Sequence, residues 1–152
     1  MTTLQSERLL LQPLTVGEKE AFYNLYLHND AITGNETPLA FTQRIISACH
    51  IIWTIRLIDN SENFIGDCAL HHFDQQKSEI QIGGSLSAIH QRKGYMAEAF
   101  RLVECYAKDN LQVKHLLGVT TIDNSAAISL VEELGFEKHS VINETIILRK
   151  SL

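Results

Sequence analysis

The chain has 152 residues, a length that suits one domain with a sizeable core. Its 45% apolar and 20% charged residues are the make-up of a globular protein. A net charge of -5, with lysines and arginines scattered rather than striped, argues against nucleic acid as a partner. No apolar run approaches the ~20 residues of a membrane span. Met1-Thr2-Thr3-Leu4-Gln5-Ser6-Glu7 lacks the basic-then-apolar pattern of a signal peptide, so a cytoplasmic location is expected. Cys49, Cys68 and Cys105 are far apart and odd in number, which points to buried free thiols rather than disulfides or a zinc site.

In chain order, residues 8–14 read as a strand that Pro13 closes or places at an edge. Thr15 is expected to cap a helix over 15–28, with Glu18 completing a capping box. A loop follows, then a second helix over 39–50. Residues 51–58 are β-branched and aromatic, hence a strand. Residues 64–73 form the next strand, Asp74-Gln75-Gln76-Lys77 a hairpin turn, and 78–87 a further strand. The paired Gly83-Gly84 in its middle signal a bulge, or close approach by a ligand or another backbone. A helix over 94–110, a strand over 116–121 and a helix capped within Asp123-Asn124-Ser125 and stopped by Gly135 come next. Two strands, 136–140 and 143–149, close the chain. The order β-α-α-β-β-β-α-β-α-β-β defines a single α/β domain over 1–152 with a mixed sheet.

Gln91-Arg92-Lys93-Gly94-Tyr95-Met96-Ala97-Glu98-Ala99 lies between a strand and a helix. The first N–H groups of a helix lack intrahelical partners, and the helix dipole adds positive charge there. Gly94 admits an anion close to the backbone, and Arg92 and Lys93 add two cations. The turn suits a pyrophosphate held mostly by main chain.

This segment also resembles the acetyl-CoA pyrophosphate loop of the GNAT acetyltransferases: Gln91, Arg92, Lys93, Gly94 and Tyr95 match its pattern, and Met96 stands where a small residue is usual. Ser6-Glu7-Arg8-Leu9-Leu10-Leu11-Gln12-Pro13-Leu14 resembles the opening strand of the RimJ/RimL-like branch, the ribosomal-protein N-acetyltransferases and their relatives. Asn124-Ser125-Ala126-Ala127-Ile128-Ser129-Leu130-Val131-Glu132-Glu133-Leu134-Gly135-Phe136 resembles the family's later helix. The resemblance implies the GNAT fold, a mixed and mostly antiparallel sheet flanked by helices, with a final hairpin shorter than usual. It implies a cytoplasmic N-acetyltransferase, monomer or homodimer, that uses acetyl-CoA and an amine acceptor and no metal. The residues implied to hold CoA are Gln91, Arg92, Lys93, Gly94, Tyr95, Met96 and Ala97, together with Asn124 and the strand ending near Leu86. Asn124 is equally readable as a plain helix N-cap.

Acetyl transfer needs a neutral amine, which a protein α-amino group (pKa ~7.7–8.0) supplies more readily than lysine (~10.4). Glu79, on the strand before the loop, is the candidate base; it is also readable as a solvated strand residue. The resemblance puts a glutamate where Gln81 stands. Glu79 and Gln81 share a strand face, so Glu79 would act through a water while Gln81 binds substrate. His71 and His72, as neighbours in a strand, are expected on opposite faces and unfit to share a metal; they read as a surface imidazole and a half-buried one, with His71 the candidate to face the acceptor. Cys105 is expected in the core. Val131 stands where many relatives carry a tyrosine that protonates the CoA sulfur. The alternative is a CoA- or acyl-CoA-binding module without transferase activity.

Overall fold

The computed structural model describes residues 2–152. Eight strands form one sheet, in the order β1-β2-β3-β4-β5-β6-β8-β7. They are β1 (Leu4–Gln5), β2 (Leu9–Pro13), β3 (Cys49–Leu57), β4 (Asn60–Asp74), β5 (Glu79–Leu86), β6 (His115–Thr121), β7 (Glu137–Ile142) and β8 (Thr145–Ser151). All neighbours run antiparallel except β5 and β6. The helices are α1 (Lys19–Leu25), α2 (Pro38–Ala48), α3 (Tyr95–Leu111) and α4 (Ser125–Glu133). Among the described residues, no helix is long and apolar enough to cross a membrane.

Strand alternation sorts the apolar side chains onto two faces. On one, Leu9, Leu11, Trp53, Ile55, Cys68, Leu70, Ile80 and Ile82 pack with Ala99, Phe100 and Val103 of α3 and Val131 of α4. On the other, Ile52 and Ala69 meet Phe22 of α1 and Phe41 of α2, whose rings stack at 5.3 Å. The indole of Trp53 lies edge-on to Tyr106 of α3 and donates to the carbonyl of Thr2 at 2.8 Å.

Several expectations change. Thr15 makes no side-chain cap; a 3-10 turn over Val16–Glu18 leads into a shorter helix that ends at Leu25. Glu18 instead pairs with the buried guanidinium of Arg56, a charge that the interior would otherwise leave uncompensated. The two-residue β1 was not foreseen. In the closing hairpin β8 pairs with β6 from His115 to Thr121. Cys105 is exposed rather than in the core, Cys49 is half-buried and Cys68 buried. The Gly83-Gly84 pair makes no bulge, because its register against β4 is continuous. Close backbone approach is the reason for Gly84: a Cβ there would lie 2.4 Å from the carbonyl oxygen of Asp67.

Candidate functional site

β5, α3 and β6 form a β-α-β crossover, and the two parallel strands pair only over Glu79–Gln81 and His115–Leu117. Beyond those positions they separate. The gap is a cavity of about 240 Å³ bordered by Ile82, Gly83 and Gly84 on one side and Gly118, Val119 and Thr120 on the other. Both helices that follow these strands begin at this end, so two helix N-termini meet the opening, as expected at the carboxyl ends of parallel strands.

The first of these N-termini is built from the basic loop. Arg92 and Gly94 are left-handed, with φ 64° and 82°, a curled backbone of the kind that gathers N–H groups into an anion-binding hollow. Gly94 is the N-cap of α3, and no side chain caps the helix. Its carbonyl takes the first intrahelical bond from Glu98 N at 3.1 Å, which leaves the amides of Tyr95, Met96 and Ala97 ahead of the ladder. Gln91 folds back and donates to the carbonyl of Leu86 at 3.0 Å, closing the loop onto the end of β5. Met96 turns its side chain onto the sheet, where its Cε would lie 3.1 Å from a Cβ at Gly84. A large residue is accommodated at 96 because Gly84 leaves room beneath it.

A clamp from the start of the chain holds this loop. Arg8 donates from Nη1 to the carbonyl of Lys93 at 2.9 Å, donates from Nε to Glu98 at 2.8 Å, and stacks 4.5 Å over the Tyr95 ring. Ser6 Oγ donates to the same carboxylate at 2.5 Å. Partial burial works against the charge on Glu98, but the bonds from Ser6 and Arg8 hold its pKa below the ordinary carboxylate value.

The second N-terminus is capped by Asn124. Its Oδ1 accepts from Ala127 N at 3.2 Å and its Nδ2 donates to Thr120 Oγ1 at 3.0 Å. The N-cap reading is therefore realised, and the residue also borders the cavity. Val131 lines the same cavity and offers no proton.

Glu79 opens β5 at the paired end, level with His115 of β6 and Asp74 of β4. Gln81 is level with His71 and is the last residue of β5 paired with β6. His71 and His72 depart from strand alternation. A register shift follows His71, and His72 is left-handed at φ 54°, which swings both rings together with their Nδ1 atoms 2.5 Å apart.

One group of polar residues escaped the sequence reading. Asp67 on β4 is buried, and its carboxylate accepts from the Tyr26 hydroxyl at 2.5 Å and from Ser85 Oγ at 3.3 Å. Burial pushes its carboxyl up to about 6, and the two hydrogen bonds pull the other way. Burial also raises the pKa of Tyr26, helped by the nearby carboxylate. The cluster ties α1 to β5 beside the gap. A lone acid within the apolar run Phe64-Ile65-Gly66-Asp67-Cys68-Ala69-Leu70 was the available signal.

A strand pair thus opens onto two helix N-termini, one of them carrying a clamped glycine loop. Residues 8–137 match the acetyltransferase (GNAT) domain, and the chain belongs to that family of N-acetyltransferases. It is 27% identical to the uncharacterized N-acetyltransferase YoaA of Bacillus subtilis (strain 168), over 93% of this chain and 86% of that protein. In fold it is similar to Mycobacterium smegmatis RimJ, solved in complex with CoA-disulfide, with a TM-score of 0.83 at 14% identity over 99% of this chain and 87% of that one. The ribosomal-protein-S5-alanine acetyltransferase of Vibrio fischeri is also similar, with a TM-score of 0.79 at 14% identity over 99% and 97%.

Proposed function

We propose that the protein transfers an acetyl group from acetyl-CoA to a primary amine, a protein N-terminus or a small amine, by direct transfer within one ternary complex. The observation that carries this reading is the convergence of two helix N-termini on the gap between β5 and β6. The uncapped amides of Tyr95, Met96 and Ala97, with Gln91, Arg92, Lys93 and Gly94, suit a pyrophosphate. The unpaired edge of β5 from Ile82 to Leu86 offers main-chain groups to an extended, amide-bearing arm, and Asn124 faces it from α4. Acetyl-CoA supplies an activated thioester; the residues of the chain bind it, align it and receive the acceptor on the α1 side of β5.

On that side Gln81 is suited to hold the acceptor. Glu79 lies two residues further from the gap on the same face, so it would reach the amine only through a water. With Val131 in the cavity wall, the leaving thiolate takes its proton from solvent.

Calorimetric titration with acetyl-CoA, wild type beside Gly94→Glu, tests the donor site. A glutamate would place a negative charge at the phosphates and force a side chain into a left-handed position with the Arg8 guanidinium 3.3 Å from its Cβ. Micromolar binding by wild type and none by the variant is the expected result. Equal affinity would reject the loop assignment.

A further inference from the structure

We infer that His71 and His72 form a proton relay that carries the acceptor amine's proton from the gap to solvent, an inference that rests on the amine-acetylating reading above. The geometry has three parts. His71 Nε2 would lie 3.6 Å from a Cβ at Gly83, on the α1 face of β5 that also carries Gln81, and the main chain of Gly83 borders the cavity. His71 Nδ1 is 2.5 Å from His72 Nδ1, a hydrogen bond that requires one ring to donate and the other to accept. His71 is half-buried and His72 is exposed, so the pair runs from the site outward. The left-handed His72 that makes this possible is an uncommon conformation outside glycine, of the kind found where function holds the backbone.

The surroundings favour an imidazole that is neutral and able to accept. Burial, then the neighbouring His72, lowers the pKa of His71. Across on β3 stands Cys49, whose thiol is pushed up to about 11 by burial and stays uncharged at neutral pH. On β5 the facing residue is Gln81, with Glu79 two positions before it. Asp67 lies four residues back on the same face of β4, engaged with Tyr26 at the C-terminal cap of α1. The helices bring Tyr23, Tyr26, Ile45 and Ile46 to the apolar cluster around Cys49.

The two Nδ1 atoms sit closer together than ligand nitrogens on one metal do. Two ligand nitrogens on one tetrahedral zinc sit roughly 3.3 Å apart, given Zn–N bonds of about 2.0–2.1 Å. Among the described residues, no three His, Cys, Asp or Glu side chains form a metal-binding group.

In the relay the amine nitrogen bonds to the acetyl carbon and the carbon–sulfur bond breaks. The amine proton passes to His71 Nε2 as His71 Nδ1–H passes to His72 Nδ1, and His72 Nε2 releases a proton to water. The thiolate takes up a proton from water, and exchange with solvent restores the starting tautomers.

The test has two arms on the full-length protein. In the first, NMR follows the ring nitrogens of both histidines through a pH titration. Coupled titrations are expected, with His72→Gln moving that of His71; two rings that titrate independently overturn the relay. In the second, thiol release from acetyl-CoA is followed with an unblocked peptide and with a small aliphatic diamine. His71→Gln should cut kcat/KM about 100-fold with acetyl-CoA affinity unchanged. His71→Gly should be rescued in part by added imidazole, and His72→Gln should lose several-fold and shift the pH–rate profile. Wild-type rates and profile in His71→Gln and His72→Gln, with the wild type active, overturn the relay alone. If the wild type binds acetyl-CoA yet acetylates neither amine, the amine-acetylating reading fails and the relay, which rests on it, falls with it.

Discussion

Asp67 is a carboxyl group buried with two hydroxyl partners and no cation. Its folded pKa of about 6 lies above the ordinary 3.8, so the folded state binds the proton more tightly than the unfolded one. The resulting stabilisation is fully present below pH ~4 and is lost as pH rises through ~6. Asp67→Asn keeps the shape and abolishes the titration. Relative to this variant, the wild type should lose about 3 kcal/mol of stability across that window. Urea unfolding of both proteins at several pH values checks this, and parallel stability curves would contradict it. The same residue marks a limit of the sequence. Tyr26, Asp67 and Ser85 are joined only by the pairing of β4 with β5 and the seating of α1, and none of the three sits in a recognisable spacing. Thr15 and Glu18 fail for a related reason: their spacing matched a capping box, but the buried Arg56 competes for the same carboxylate and a buried charge is the stronger demand.

At the scale of elements, the two N-termini facing the gap are held differently, and variants can separate the ways. Asn124→Ala removes a cap and should cost about 1 kcal/mol of stability. Asn124→Ser keeps a capping oxygen and discards the amide donor. If the amide serves the cofactor, the serine variant should match wild type in thermal unfolding and bind acetyl-CoA more weakly by calorimetry; equal binding would leave Asn124 as a cap alone. For α3 the support is distant in sequence. Arg8→Ala should leave the fold intact and weaken acetyl-CoA binding about three- to tenfold, because the loop loses its tie through Lys93 and Glu98 and must be ordered on binding. Unchanged affinity would mean that Gly94 and Gln91 hold the loop unaided. The loop and the Asn124 helix were legible because glycine, capping and helical periodicity are local signals. The His72 turn was not, since two adjacent strand residues meet only if one leaves the strand conformation.

For the molecule as a whole, the element order was readable because apolar period and turn residues agree along the chain, and the β5-α3-β6 crossover forces a parallel pair into an otherwise antiparallel sheet. The site arises from that one conflict. Parallel pairing stops after Gln81 and Leu117, and everything assigned to the donor lies beyond that point. What the sequence does not encode locally is the partnership of Ser6 and Arg8 with the helix ninety residues later. The chain's single tryptophan sits at that seam, with its N–H on the carbonyl of Thr2 and its ring against Tyr106 of α3. The protein thus carries its own optical reporter. Loss of the indole's hydrogen bond signals fraying of the N-terminal segment, and a red shift in emission signals opening of the core, so the two events can be followed at one wavelength pair without an attached dye.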